Sequence, residues 1–212
     1  MNAKIAATAH STPKKILSNF DLEKIVDTSD EWIRSRTGIK QRYIVENGEA
    51  SSDISTKIAE QLLEKSKISA DEIDLIIVGT VTPDHYTPST AALVQKNIKA
   101  NNAWGFDLSA ACSGYIFGLE TGSNFIRSGQ YKNVMIIGVD TMSSILDFQD
   151  RDTCVIFGDG GGGAILQPTK EKCGIIDSIL HMDGKGGDYL IVPAGGSRIP
   201  ASIDSVKNRS HF

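Results

Sequence analysis

One cysteine in this 212-residue chain stands where a thiol can act as a nucleophile. Cys112 follows Phe106-Asp107-Leu108-Ser109-Ala110-Ala111, and residues 104–111 read as a short buried strand. From Ser113 onward Tyr115, Ile116, Leu119 and Ile126 recur at helical spacing. A thiol in the first turn of a helix meets the positive end of the helix dipole, which favours thiolate over thiol. The small neighbours Ala110, Ala111, Ser113 and Gly114 leave the sulfur unobstructed. Against this stands the ordinary fate of an unpaired cysteine, a buried and inert core thiol. The same helix carries Gly114, Gly118 and Gly122 on one face, each costing about 1 kcal/mol relative to alanine. Such a stripe predicts that another backbone comes close. With Tyr115, Phe117 and Leu119 on the other faces, a central, buried helix is expected.

A second group of residues suits a ligand with a flat ring and phosphates. Trp32 and Arg36 lie four apart on an expected helix and so project from one face. An indole beside a guanidinium fits the adenine end of a coenzyme, although a plain surface Trp–Arg stack has the same pattern. Arg151, set among carboxylates in Asp147-Phe148-Gln149-Asp150-Arg151-Asp152, reads by type as a salt-bridge residue. The run Phe157-Gly158-Asp159-Gly160-Gly161-Gly162-Gly163-Ala164 has no lysine and no helix pattern after it. A nucleotide phosphate loop is therefore excluded, and a tight glycine turn between two strands is expected instead.

The elements that must position these residues alternate between strand and helix patterns. Strands are expected at Ile5–Thr8, Leu75–Val78, Val134–Val139, Cys154–Phe157, Gly163–Leu166 and Ile175–Leu180. Helices are expected at Asp21–Val26, Ser29–Ser35, residues 52–66 and Ser89–Asn97, with a brief turn at Ser69–Glu72. Thr28-Ser29-Asp30-Glu31 has the form of a capping box ahead of the second helix. Buried strands separated by helices indicate an α/β fold with a mixed, mainly parallel sheet. Beyond about residue 197 the pattern fades.

Composition narrows the function classes. A net charge of −4 argues against general nucleic-acid binding. No run of eighteen apolar residues is present, so no membrane span is expected, and the start lacks a secretion-signal pattern. Cys112, Cys154 and Cys173 are odd in number and not in C-x-x-C spacing, which fits a reducing compartment without zinc. His10, His85, His181 and His211 show no ligand spacing. A cytoplasmic protein with no metal is expected.

Three segments in order resemble the β-ketoacyl-acyl-carrier-protein synthase III family, the initiating condensing enzymes of bacterial fatty-acid synthesis. They are Val26-Asp27-Thr28-Ser29-Asp30-Glu31-Trp32-Ile33-Arg34-Ser35-Arg36-Thr37-Gly38-Ile39, then Phe106 to Gly114, then Asp150-Arg151 with Phe157-Gly158-Asp159-Gly160. The resemblance implies a thiolase-like α/β fold, a mixed and mainly parallel sheet with helices on both faces, forming the first half of a pseudo-duplicated architecture. Residues 1–170 would be the amino-terminal half and 171–212 the inter-half connection with the start of the second half. In that fold the glycine stripe would face the equivalent helix of the second half.

By the same resemblance Cys112 takes an acyl group from acyl-CoA as a thioester, and decarboxylated malonyl-acyl-carrier protein then attacks it. Trp32 and Arg151 would sandwich the CoA adenine, with Thr28 and Arg36 beside them. Thr87, Met142 and Phe157 would line the acyl pocket, Thr87 reaching across a homodimer interface. Threonine at a position where a bulky aromatic is common implies room for a longer or branched primer. No cofactor is implied, acyl-CoA being a substrate, and neither nucleic acid nor membrane is a partner. The family's catalytic His and Asn are expected in a carboxy-terminal half outside residues 1–212, and His211 matches neither. Two further readings follow: a non-catalytic fragment that binds another subunit, and acyl loading on Cys112 without condensation.

Overall fold

A computed structural model describes residues 1–212. In chain order the elements begin with β1 (Asn2–Ser11), β2 (Lys15–Ser18), α1 (Asn19–Leu22), α2 (Asp30–Thr37), β3 (Gln41–Ile44) and α3 (Ser51–Ser66). There follow β4 (Leu75–Gly79), α4 (Thr90–Asn97), β5 (Trp104–Leu108) and α5 (Gly114–Arg127). Last come β6 (Val134–Thr141), α6 (Arg151–Cys154), β7 (Asp159–Thr169) and α7 (Ile203–Lys207). No helix is long and apolar enough to cross a membrane. The chain divides into two compact units, interleaved in sequence.

The first unit comprises Met1–Lys15, Tyr43–Thr141 and Asp159–Ile179. Its sheet has the order β1-β7-β6-β4-β5. β4 pairs in parallel with β5 and β6, while β7 runs antiparallel to both β6 and β1. Four strands therefore point one way and β7 alone is reversed, the mixed and mainly parallel sheet expected. Every residue of β4 is buried, because alternate side chains enter different cores. Ile76 and Val78 join Ile54, Ile58, Leu62 and Val94 beneath α3 and α4. Leu75 and Ile77 join Val134, Ile136, Leu166 and Ile126 beneath α5. Helices thus cover both faces.

Three expectations about this unit are corrected. The glycine run is a strand, not a turn: Gly160–Gly163 lie within β7, all paired with β6 and Gly161–Gly163 also with β1. A Cβ on Gly163 would meet the Ile136 carbonyl oxygen at 2.8 Å and Ile58 Cγ2 at 2.9 Å. Only a strand without side chains lets α3 sit that close. The segment 104–111 is a strand only over Trp104–Leu108, and it is half-exposed because β5 is the edge of the sheet. Finally, Ile175–Leu180 forms no strand; Ile175 makes one backbone bond to Ala3 at 2.8 Å, but Ile176 and Ile179 lie exposed. Their apolar character suggested a strand that has no ladder to join.

The second unit comprises Ile16–Arg42, Met142–Gly158 and Leu180–Phe212. Its core gathers Leu22, Ile33, Cys154 and Val155, with Trp32, Val26 and Phe148 packed against them. Cys154–Phe157 is not a strand, since residues 151–154 form α6, capped by Asp150 accepting from Asp152 N. Ser29, not Thr28, caps α2, its hydroxyl accepting from Trp32 N at 3.1 Å. With Trp32 at the third helical position, no acidic side chain is there to close the expected box. The fading pattern after residue 197 hides the five-residue α7, started by a reciprocal Ser202–Ser205 cap.

The closeness of α3 to β7 is testable. Gly163→Ala should destabilise the chain by about 1–3 kcal/mol, because the clash is with backbone that cannot rotate away. Urea unfolding followed by circular dichroism reads it, and an unchanged midpoint would show that this packing is looser than described.

Candidate active site

The close approach of two glycines places Cys112. A Cβ on Gly79, at the end of β4, would lie 2.9 Å from the Gly114 carbonyl carbon, so α5 begins directly over the carboxyl end of that strand. Parallel strands present ligand-binding positions at this end. Between β5 and α5 the chain makes a 3₁₀ turn, Ala111–Ser113, with Cys112 at its centre. Ala111 adopts φ of 45°, a left-handed conformation that costs a non-glycine residue of order 1–3 kcal/mol. Such strain next to a cysteine resembles the sharp strand-to-helix turns that lift a reactive side chain clear of its own backbone. Cys112 is exposed and unpaired, not an inert core thiol. No side chain caps the start of α5.

The glycine stripe does a different job from the one expected. Gly118 faces Ile136 Cγ2, at 2.9 Å from an added Cβ, and Gly122 faces Ile136, Val134 and Leu166. At these two positions the space is taken by side chains of the unit's own sheet, where the backbone of a second helix was expected. Nor is α5 buried all round, since Ile116 on the opposite side is 51% exposed.

The loop that follows β4 and carries Thr87 is anchored by carboxylates that sequence reading did not single out. Asp140 accepts from Val81 N at 2.8 Å, Thr82 Oγ1 at 3.0 Å and Thr80 Oγ1 at 3.1 Å. Asp84 accepts from Ser52 N and Ser52 Oγ at the start of α3. Asp107 accepts from Thr90 N at 2.6 Å and Ala91 N at 2.8 Å, satisfying the first amides of α4. The available signal was a carboxylate inside an otherwise apolar strand, at Asp107 and Asp140. Thr87 itself is exposed.

In the second unit the structure brings together three of the four residues assigned to nucleotide binding. The Arg151 guanidinium lies 4.5 Å from the centroid of the Trp32 indole, and that of Arg36 lies 5.1 Å from it. Two cations share one ring, each held by the ring's quadrupole. Arg151 is thus a stacking residue, not a salt-bridge residue, and its Nε is buried without a hydrogen bond. Thr28 stands in the turn before α2, its hydroxyl likewise buried and unbonded. Met142 opens a 3₁₀ turn and Phe157 follows α6, both half-buried.

The comparisons accord with this geometry. Residues 106–184 match the family model for 3-oxoacyl-[acyl-carrier-protein (ACP)] synthase III. The β-ketoacyl-[acyl-carrier-protein] synthase III of Chlorobaculum tepidum is 56% identical over 215 residues, an alignment that takes in all of this chain and 65% of that protein. The crystal structure of 3-oxoacyl-[acyl-carrier-protein] synthase III from Aquifex aeolicus superposes with a TM-score of 0.78 at 48% identity, covering 80% of this chain and 55% of that one. A further 3-oxoacyl-(acyl-carrier-protein) synthase III structure gives a TM-score of 0.92 at 30% identity, over 97% and 62% of the two chains. Along its whole length this chain is similar to the β-ketoacyl-acyl-carrier-protein synthase III family. Its fold is accordingly thiolase-like. The chain spans about 65% of the length of the curated relatives it matches.

The cysteines of this chain should separate by reactivity. Cys154 is fully buried, and burial, then the Asp150 carboxylate, push its thiol above the usual value, with Arg42 pulling the other way. A raised folded value keeps stability intact below the free thiol's 9.0 and removes it as pH climbs through the folded value. Iodoacetamide at neutral pH should therefore label Cys112 first and reach Cys154 only after denaturation, as read by peptide mass spectrometry. Early labelling of Cys154 would contradict its placement.

Proposed function

We propose that this chain forms part of an acyltransferase that condenses an acyl-CoA primer with malonyl-acyl-carrier protein to a 3-oxoacyl-acyl-carrier protein, the first condensation of fatty-acid synthesis. The single observation that carries the reading is Cys112, exposed on a strained turn where β5 gives way to α5. Its sulfur attacks the acyl-CoA carbonyl, forming an S–acyl bond as the coenzyme leaves as a thiol. Loss of carbon dioxide from the malonyl group then generates a carbanion that attacks the same carbonyl. A carbon–carbon bond forms and the Cys112 sulfur departs as thiolate. Covalent capture divides one difficult step into two easier ones. Backbone amides of the 3₁₀ turn, that of Cys112 among them, and of the uncapped start of α5 support the oxyanion of both tetrahedral intermediates.

In this reading the Trp32 indole and the Arg151 guanidinium hold the adenine of coenzyme A, and Arg36 and the Thr28 hydroxyl meet its polar groups. Adenine entering between indole and guanidinium displaces Arg151 from its present stack. Thr87, Met142 and Phe157 bound the acyl chain, Thr87 being contributed across a homodimer interface, and its small side chain admits long or branched primers. Decarboxylation draws on a His and an Asn that the resemblance assigns to a carboxy-terminal half. Acyl capture is the step assigned to Cys112. The assembly works in the cytoplasm and needs no cofactor beyond its substrates.

Intact-mass measurement after incubation with acyl-CoA tests the chemistry. An acyl adduct should form on the parent chain and vanish in Cys112→Ser; an adduct that persists in the variant places the nucleophile elsewhere. Chain-length preference follows from comparing acetyl-, isobutyryl- and octanoyl-CoA as donors. Strict preference for acetyl would remove Thr87 from the pocket argument.

A further inference from the structure

Trp32 and Arg151 sit on separate short helices, α2 of eight residues and α6 of four. Helices this short do not hold a direction by their own hydrogen bonds. What joins them is a buried polar chain that the proposed chemistry does not use. Asn19 is fully buried and Arg42 is 4% exposed. Asn19 Nδ2 donates at 2.8 Å to Asp30 Oδ1, in the first residue of α2, and at 2.8 Å to the Ile39 carbonyl just past its end. Asn19 Oδ1 accepts from Arg42 Nη1. Arg42 Nη2 donates to the carbonyl of Val155, the residue that closes α6. A connected path thus runs from the start of α2 to the end of α6. Burying a guanidinium is costly, and well-packed apolar residues often serve stability as well or better. Directional hydrogen bonds supply what hydrocarbon does not, a fixed orientation of one helix against the other.

We infer that Asn19 and Arg42 are positioning residues for the nucleotide platform, holding α2 and α6 so that the Arg151 guanidinium faces the Trp32 indole. This rests on the reading of Trp32 and Arg151 as the seat of the coenzyme A adenine. Neither Asn19 nor Arg42 touches the ligand; both act through the helices they tie.

The test is titration calorimetry of the 212-residue chain with adenosine 3′,5′-bisphosphate, the nucleotide portion of coenzyme A, run beside iodoacetamide labelling of Cys154. Arg42→Lys keeps the charge but loses the fork that reaches two oxygens at once. Asn19→Ala breaks the path from the other side. Each should weaken binding by about tenfold while Cys154, in the same core, stays protected. Unchanged affinity in both variants overturns the inference. So does lost affinity accompanied by rapid Cys154 labelling, which marks a general loosening of the unit and not a displaced platform. Trp32→Ala separates the two levels of the argument. If the parent chain ignores the bisphosphate, or Trp32→Ala binds it as tightly as the parent, the coenzyme A reading itself falls. If Trp32→Ala loses binding and Arg42→Lys does not, only the positioning role is lost.

Discussion

Contact between two backbones, at Gly79 and Gly114, governs the end of this molecule that carries Cys112. Any side chain at Gly79 would intrude on the first residue of α5 at under 3 Å, so the helix begins where the strand stops. That closeness leaves the chain only a single 3₁₀ turn between β5 and α5. The turn closes only by forcing Ala111 into a left-handed conformation. Cys112 is lifted into the open as a result. The glycines at 118 and 122 continue the same logic along the helix, letting it lie flat on Ile136, Val134 and Leu166. Exposure of Cys112 is thus the far end of a packing constraint that begins in the sheet.

Much of this was legible in the residues because the signals are local. An all-apolar Leu75–Gly79 can be little but a strand buried on both faces, and Ser89 ahead of α4 is a plain helix start. Trp32 and Arg36 share a face for reasons of helical period alone. What escaped reading was relational. Four successive glycines signal either a turn or a strand pressed by its neighbours, and only the position of Ile58 above them decides. Ile176 and Ile179 have strand-like composition but no partner ladder, a fact held in the rest of the chain. The glycine stripe of α5 announced a close neighbour without saying which one. Asp107 and Asp140 looked like interruptions of apolar strands until the amides they accept from were in place.

The second unit shows a different economy. Its core is small, built around Leu22, Ile33, Cys154 and Val155, and its helices are brief. Hydrophobic contact is indifferent to direction, so a unit of this kind gains orientation from polar groups. A buried amide and a buried guanidinium, far apart in sequence, meet two helix ends that would otherwise be free to rock. The aromatic and cationic surface at Trp32 follows from that bracing.

One further consequence attaches to β7. A ribbon of glycines contributes almost no side chain to either layer around it, so it coheres chiefly through its ladders, and one of those belongs to the opening residues of the chain, Asn2 to Ser11. Asn2–Ser11 are therefore not dispensable. Deleting those residues would strip a rail from the glycine half of β7 and leave its peptide groups facing water.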